Sequence, residues 1–144
     1  FPDQKQISIE HLQECLQDLS RYSTFDLSDA LIAGNLALSI KIFQYLVESG
    51  EPNSLILWTI SKEMRLLMQL YEQPQNALQL GIWKTKISLY QQALRRLNPH
   101  SFLTWPQLLL RVDAAIKGLS KESPEHIIQQ CIAELCGKTL FINA

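Results

Sequence analysis

Residues 54–71 have the sequence SLILWTISKEMRLLMQLY, and this stretch decides the fold. At 100° per residue, its apolar side chains fill one broad face of a helix and a second sector almost opposite. The broad face holds Ile56, Leu57, Ile60, Met64, Leu67, Met68 and Tyr71, and the second sector holds Leu55, Leu66 and Leu70. A helix that is apolar over much more than one stripe is packed on two sides. We therefore predict a central helix around which the other helices pack.

The remaining arc of the central helix is polar, except for one tryptophan. Trp58 lies there together with Lys62 and Arg65. An exposed tryptophan is a typical anchor of protein interfaces, so we predict that these three residues belong to an intersubunit surface. The alternative is that a terminal helix or the 72–82 loop covers Trp58 within its own chain.

Cap residues and apolar stripes predict three helices before the central one. The first runs from Ser8 through Leu19, and Asp26 caps a second that Gly34 ends. Asn35 caps a third helix, which ends at Gly50, and Pro52 opens the central helix.

Apolar residues spaced three and four apart predict two helices after the central one, and a third follows them. The first seam is Trp83, Ile87, Tyr90, Leu94 and Leu97, and the second is Phe102, Trp105, Leu109, Val112, Ile116 and Leu119. Asn98 and Pro99 start the second of these helices, in which Pro106 predicts a kink or a helix that begins afresh near Thr104. Ser123 and Pro124 start the last helix, which ends at Gly137.

No stretch alternates with the period of a β-strand, and 144 residues fit one domain. The fold class expected is all-α, a single compact domain of six or seven helices. The longest apolar runs are too short to span a membrane. The cysteines Cys15, Cys131 and Cys136 favour reduced thiols in a cytoplasmic protein.

The sequence offers no constellation for catalysis, cofactor binding or metal binding. It lacks both GxxxxGK[ST] and GxGxxG, the glycine-rich loops that hold nucleotide phosphates. His126, Cys131 and Cys136 are spaced by five residues, so their side chains cannot converge on a metal from one helix. A small helical enzyme would need a convergent polar pocket, and we expect neither an enzyme nor a cofactor.

Charge divides the chain into an acidic and a basic half. Residues 1–80 hold ten acidic and five basic side chains, and residues 81–144 hold eight basic and four acidic ones. The basic set is Lys84, Lys86, Arg95, Arg96, Arg111 and Lys117. Arg95 and Arg96 complete the candidate interface set; a solvated rim and an acidic neighbouring subunit explain these basic residues equally well. The alternative function is a helical nucleic-acid-binding domain that uses this basic half.

Three stretches resemble the C-terminal domain of the delta subunit of the bacterial DNA polymerase III clamp loader. Residues 21–35, RYSTFDLSDALIAGN, are similar to that family's YxxFDLxDALLAGD. Residues 50–70 are similar to its GEEP…LLxxLxRELRLLLxL, and residues 82–97 to its VWxxRxxxYxxALRRLS. The likeness covers nearly the whole chain in order, and it departs at Asn35, where the family has Asp, and at Pro106.

The resemblance implies a role that the residues alone do not reach. In that family, two N-terminal AAA+-like domains carry the clamp-binding element, and the helical C-terminal domain joins other loader subunits in a ring, the collar. The expectation is that residues 1–144 are that collar domain, cut from a longer chain, as the missing initiator Met suggests. Its implied partners are delta-prime and gamma/tau, with the sliding clamp bound only through the absent domains. Neither catalysis nor direct DNA contact is expected of it.

Overall fold

The structure is a computed structural model that describes residues 21–137 of the 144. It contains six α-helices: α1 (Thr24–Ala33), α2 (Leu36–Glu48), α3 (Asn53–Glu72), α4 (Ile87–Arg96), α5 (Trp105–Ile116) and α6 (Pro124–Leu135). Short 3-10 helices occupy Pro74–Asn76, Lys84–Lys86 and Pro99–Leu103. Residues 21–137 contain no strand, which confirms the all-α fold class. The helix predicted from Ser8 to Leu19 lies outside the described residues.

Helix α3 is the centre of the domain, because it contacts all five of the other described helices. Its side chains Ile56, Ile60 and Met64 are fully buried, and so is Leu70 from the second apolar sector. The predicted packing on two sides is therefore confirmed. The prediction was wrong for Leu55 and Tyr71, which lie in the end turns of α3 and are 41% and 49% exposed.

Side-chain caps fix where the helices begin. Ser23, not the predicted Asp26, caps α1: the Ser23 hydroxyl accepts the Asp26 N–H, and the Asp26 carboxylate accepts the Ser23 N–H at 2.7 Å. This reciprocal pair is a capping box. Asn35 caps α2 and Ser123 caps α6, as predicted. Gly34 ends α1 with a φ of 75°, a left-handed conformation that glycine adopts without strain.

The two seams after α3 are shorter than predicted. Trp83 lies before α4 and is 74% exposed, and Leu119 lies beyond the end of α5 and is 77% exposed. The chain forms a 3-10 helix after Asn98, and α5 begins only at Trp105, with Pro106 in its first turn. Of the two outcomes predicted for Pro106, the fresh start near Thr104 is confirmed, because proline fits a first turn but not a helix interior.

Arg96, at the end of α4, connects the C-terminal ends of two other helices. Its Nη2 donates to the carbonyl oxygens of Ile32 at 3.2 Å, Leu135 at 3.4 Å and Leu31 at 3.5 Å. These carbonyls belong to the last turns of α1 and α6, where a helix has unpaired acceptors and partial negative charge. A Cβ atom at Gly34 would lie 2.6 Å from Arg96 Cζ, so glycine also leaves space for the guanidinium. Arg96 is thus a structural residue of this fold.

Replacing Arg96 with alanine should lower the free energy of unfolding by about 1–3 kcal/mol, because charge-assisted bonds to buried carbonyls are lost. The matched control is Arg95→Ala, since Arg95 is exposed and its loss should cost less than about 0.5 kcal/mol. Urea denaturation followed by circular dichroism measures both. Equal stability of the two variants would contradict the role given to Arg96.

Candidate protein interface

One arc of α3 is not covered by any other helix of the described chain. We call Trp58, Lys62 and Arg65 the α3 ridge, because their spacing places them in one row along the helix. Trp58 is 56% exposed and Arg65 is exposed, so the 72–82 loop does not cover them. Lys62 Nζ lies 5.4 Å from the centroid of the Trp58 ring, within the range of a cation–π contact. The ridge is therefore an aromatic and cationic surface open to solvent.

Beside the ridge lies a shallow groove between α3 and α5. This α3/α5 groove is lined by Leu57, Ser61, Arg65, Pro106, Leu109, Leu110 and Asp113. Arg65 Nη2 donates to Ser61 Oγ at 3.1 Å, which holds the guanidinium along the edge of the groove. Leu110 is 69% exposed, and Lys117 pairs with Asp113 at 2.9 Å on the same helix. An apolar floor with charged edges is the arrangement found in protein–protein interfaces.

A buried acid lies directly behind the ridge. Glu63 is 1% exposed, and its Oε2 accepts a hydrogen bond from the Tyr90 hydroxyl of α4. Lys62 Nζ is 3.7 Å from the other carboxylate oxygen. Burial raises the pKa of Glu63 above its ordinary value, and the hydrogen bond from Tyr90 and the charge of Lys62 oppose that rise. Burial and the neighbouring Glu63 raise the pKa of Tyr90 as well.

The five residues predicted from the sequence do not form one surface. Three of them form the α3 ridge. Arg95 is exposed on α4, does not belong to the ridge and does not line the α3/α5 groove. Arg96 is partly buried by its contacts with α1 and α6, so its guanidinium already has partners in its own chain. Sequence reasoning missed this role, although Gly34 and Gly137 mark the two helix ends that Arg96 approaches.

Four of the six cations in the basic set also have partners within the chain. Lys86 lies 3.0 Å from Asp29, Arg111 Nη2 lies 2.6 Å from Glu122, and Lys117 pairs with Asp113. Arg96 donates to backbone carbonyls instead of forming an ion pair. For the other two members of the basic set, Lys84 and Arg95, residues 21–137 provide no ion pair. Such pairing reduces the positive field that phosphate binding requires.

Neither metal binding nor a membrane span is found in the described part of the chain. Residues 21–137 contain no group of three or more His, Cys, Asp or Glu side chains placed to hold an ion. Cys131 is fully buried, and burial raises the pKa of its thiol to about 12. Among the described helices, none has the length and hydropathy needed to cross a bilayer.

The sequence matches the family described as DNA polymerase III delta subunit, C-terminal domain, over residues 21–135. The chain belongs to this family. It is also 27% identical over 123 residues to DNA polymerase III subunit delta of Escherichia coli (strain K12). That alignment covers 81% of this chain and 36% of the relative, so the chain spans about a third of the length of the relative. The α3 ridge and the α3/α5 groove are thus features of a delta C-terminal domain.

Trp58→Ala should change the free energy of unfolding of this delta domain by no more than about 0.5 kcal/mol, because the exposed Trp58 ring contributes little to the core. The matched change Trp105→Ala removes a fully buried ring and should cost about 3–5 kcal/mol. Thermal and urea denaturation measure both variants. A large loss of stability from Trp58→Ala would mean that the ring serves the fold and not a partner.

Glu63→Gln keeps a hydrogen-bond acceptor for Tyr90 and removes the buried charge. Because the folded protein holds the Glu63 proton more tightly than the unfolded chain, the wild type should lose stability relative to the Gln variant as pH rises above about 4.5. The loss has a limit of about 1.4 kcal/mol per pH unit, and it stops once the pH exceeds the pKa of folded Glu63.

Urea denaturation of both proteins from pH 4 to pH 8 measures this difference, with Glu48→Gln at an exposed position as the control for lost charge. A wild type that gains stability over Glu63→Gln as pH rises would show that Lys62 and Tyr90 stabilise the ionised acid more than burial destabilises it.

Proposed function

We propose that this delta C-terminal domain is a non-catalytic assembly module that holds the delta subunit in the clamp loader. In this proposal residues 1–144 are the C-terminal part of a longer cytoplasmic chain. The domain joins the corresponding domains of delta-prime and gamma/tau in a collar. The sliding clamp is bound by the N-terminal domains of delta, and this domain contacts neither the clamp nor DNA.

The observation that carries the proposal is a surface that residues 21–137 leave uncovered, formed by the α3 ridge and the α3/α5 groove. Trp58 and Leu110 expose large apolar areas side by side with the charged edges of this surface. Burying them against a partner removes apolar surface from water, which is the main favourable term in association. Arg65 and Lys62 border this surface, where charged residues guide orientation more than they add affinity.

The alternative, nucleic-acid binding through Lys84 to Lys117, has weaker support. Four of the six cations in that segment already contact carboxylates or carbonyls of their own chain. Phosphate binding by the remaining cations would release counterions and weaken steeply with salt, whereas burial of Trp58 and Leu110 would not.

The test is co-elution of this domain with purified delta-prime and gamma/tau collar domains in size-exclusion chromatography at low and high salt. We expect a complex that persists at high salt and that Trp58→Ala or Leu110→Ala weakens about tenfold or more, as expected for an interface hot spot. The matched control is Leu78→Ala, because Leu78 is 62% exposed and does not line the groove.

Two results would contradict the proposal. One is the absence of any complex under these conditions, together with DNA retention at low salt, which would favour the nucleic-acid alternative. The other is a complex that all three variants form with equal affinity, which would place the interface elsewhere on the domain.

A further inference from the structure

A second groove lies on the other side of the α3 ridge, between α3 and the helices α1 and α4. Its volume is about 330 Å³, at the lower end of the range for ligand sites. Two aromatic rings border it, Phe25 of α1 at 77% exposure and Trp83 before α4 at 74%. Leu66 and Leu89 line the space between them. We call it the α1/α4 groove.

The three stretches that carry the family resemblance meet at this groove. Residues 21–35 supply Phe25 and Asp29, residues 50–70 supply Glu63, and residues 82–97 supply Trp83. The assembly surface proposed above uses none of these four side chains. Exposed aromatics that are distant in sequence, brought to the edges of one concave surface, indicate a binding site.

The charges in the groove are balanced within it. Four charged side chains line it, and each cation lies beside a carboxylate: Lys86 Nζ is 3.0 Å from Asp29 Oδ1, and Lys62 Nζ is 3.7 Å from Glu63 Oε1. Glu63 also accepts the Tyr90 hydrogen bond. A charged ligand would find no unpaired opposite charge here, so a new ion pair would not offset the desolvation of the ligand. The occupant that the charges favour is therefore uncharged.

The same pairing argues against a small polar metabolite. Sites for such molecules present a few polar groups free to orient the ligand. In the α1/α4 groove the acids and lysines are paired with each other, and most of the remaining lining is aromatic or aliphatic. A volume of about 330 Å³ accommodates one bulky side chain.

We propose that the α1/α4 groove binds a protein partner by receiving one large uncharged apolar side chain between Phe25 and Trp83. Helix-in-groove recognition works in this way, with a few apolar anchors on one helix face. This contact shares Lys62 with the α3 ridge and shares no residue with the α3/α5 groove. The identity of the partner, another loader subunit, rests on the proposed function, whereas the chemistry of the groove does not.

The chemistry is tested with three probes that share one ring and differ in charge: 3-methylindole, tryptamine and indole-3-acetate. Each is titrated into ¹⁵N-labelled protein and followed by NMR. We expect 3-methylindole to shift the Trp83 indole N–H and to bind with a dissociation constant on the order of millimolar, given its size. Both charged probes should bind about threefold or more weakly, and added salt should not change the affinity of the neutral one.

Variants locate the probe. Trp83→Ala should abolish the shifts that 3-methylindole causes in the other residues of the groove. Trp58→Ala removes an exposed tryptophan outside the groove and should leave those shifts unchanged. Tighter binding of tryptamine or indole-3-acetate would overturn the argument from balanced charge. Shifts that survive Trp83→Ala would overturn the site itself.

The partner is tested with a photo-crosslinking amino acid at Leu89 in full-length delta, reconstituted with the other loader subunits. We expect a cross-link to an apolar helix of a partner, and none from the same amino acid at Leu78, which is exposed outside the groove. A loader that assembles without the Leu89 cross-link overturns this inference and leaves the proposed function intact. A loader that fails to assemble overturns the proposed function. The probe titration then tests by itself whether the groove binds an uncharged apolar group.

Discussion

The burial of α3 is the constraint on which the rest of the structure depends. This helix contacts all the other described helices, and Ile56, Ile60, Met64 and Leu67 along it are completely removed from water. Few arrangements of short helices can cover such a rod on two sides, and each leaves some arc open. Here the open arc carries Trp58, and its two edges become the α3/α5 groove and the α1/α4 groove. The available binding surfaces therefore follow from how the core is closed.

Helix α4 is held in this arrangement by polar contacts as well as by apolar packing. Only Tyr90 and Ala93 within it are buried. Tyr90 donates to the buried acid Glu63 of α3, and Arg96 bonds the last carbonyls of α1 and α6. Directional bonds at two points fix both the position and the rotation of a helix, which a narrow apolar stripe does not. The position of α4 in turn places one wall of the α1/α4 groove.

The sequence was sufficient for the fold class and for much of the helix order, because caps and apolar periods are local signals. Asn35 and Ser123 begin their helices as predicted, and Ile128, Cys131, Ile132 and Leu135 of α6 are all buried. The prediction that Trp83 and Leu119 lie within helices was wrong, because a seam of apolar residues does not indicate where the helix begins or ends. The carbonyl contacts of Arg96 and the burial of Glu63 were not predicted, for another reason. A charged residue in a helical pattern predicts a solvated face, and only the packed neighbours provide the carbonyls and the hydroxyl that bring it inside.

The candidate interface was only partly predictable for the same reason. Trp58, Lys62 and Arg65 lie on one helix, so their spacing alone placed them in a row. The α1/α4 groove joins residues from three separate stretches, and no period within one stretch reveals it. Lys62 lies at the boundary between the α3 ridge and the α1/α4 groove: its Nζ is 5.4 Å from the centroid of the Trp58 ring and 3.7 Å from Glu63 Oε1. A subunit in a closed ring meets two neighbours through two different surfaces. In the ring proposed above, the α3 ridge and the α1/α4 groove, which share Lys62, would therefore bring both neighbours against the same central helix.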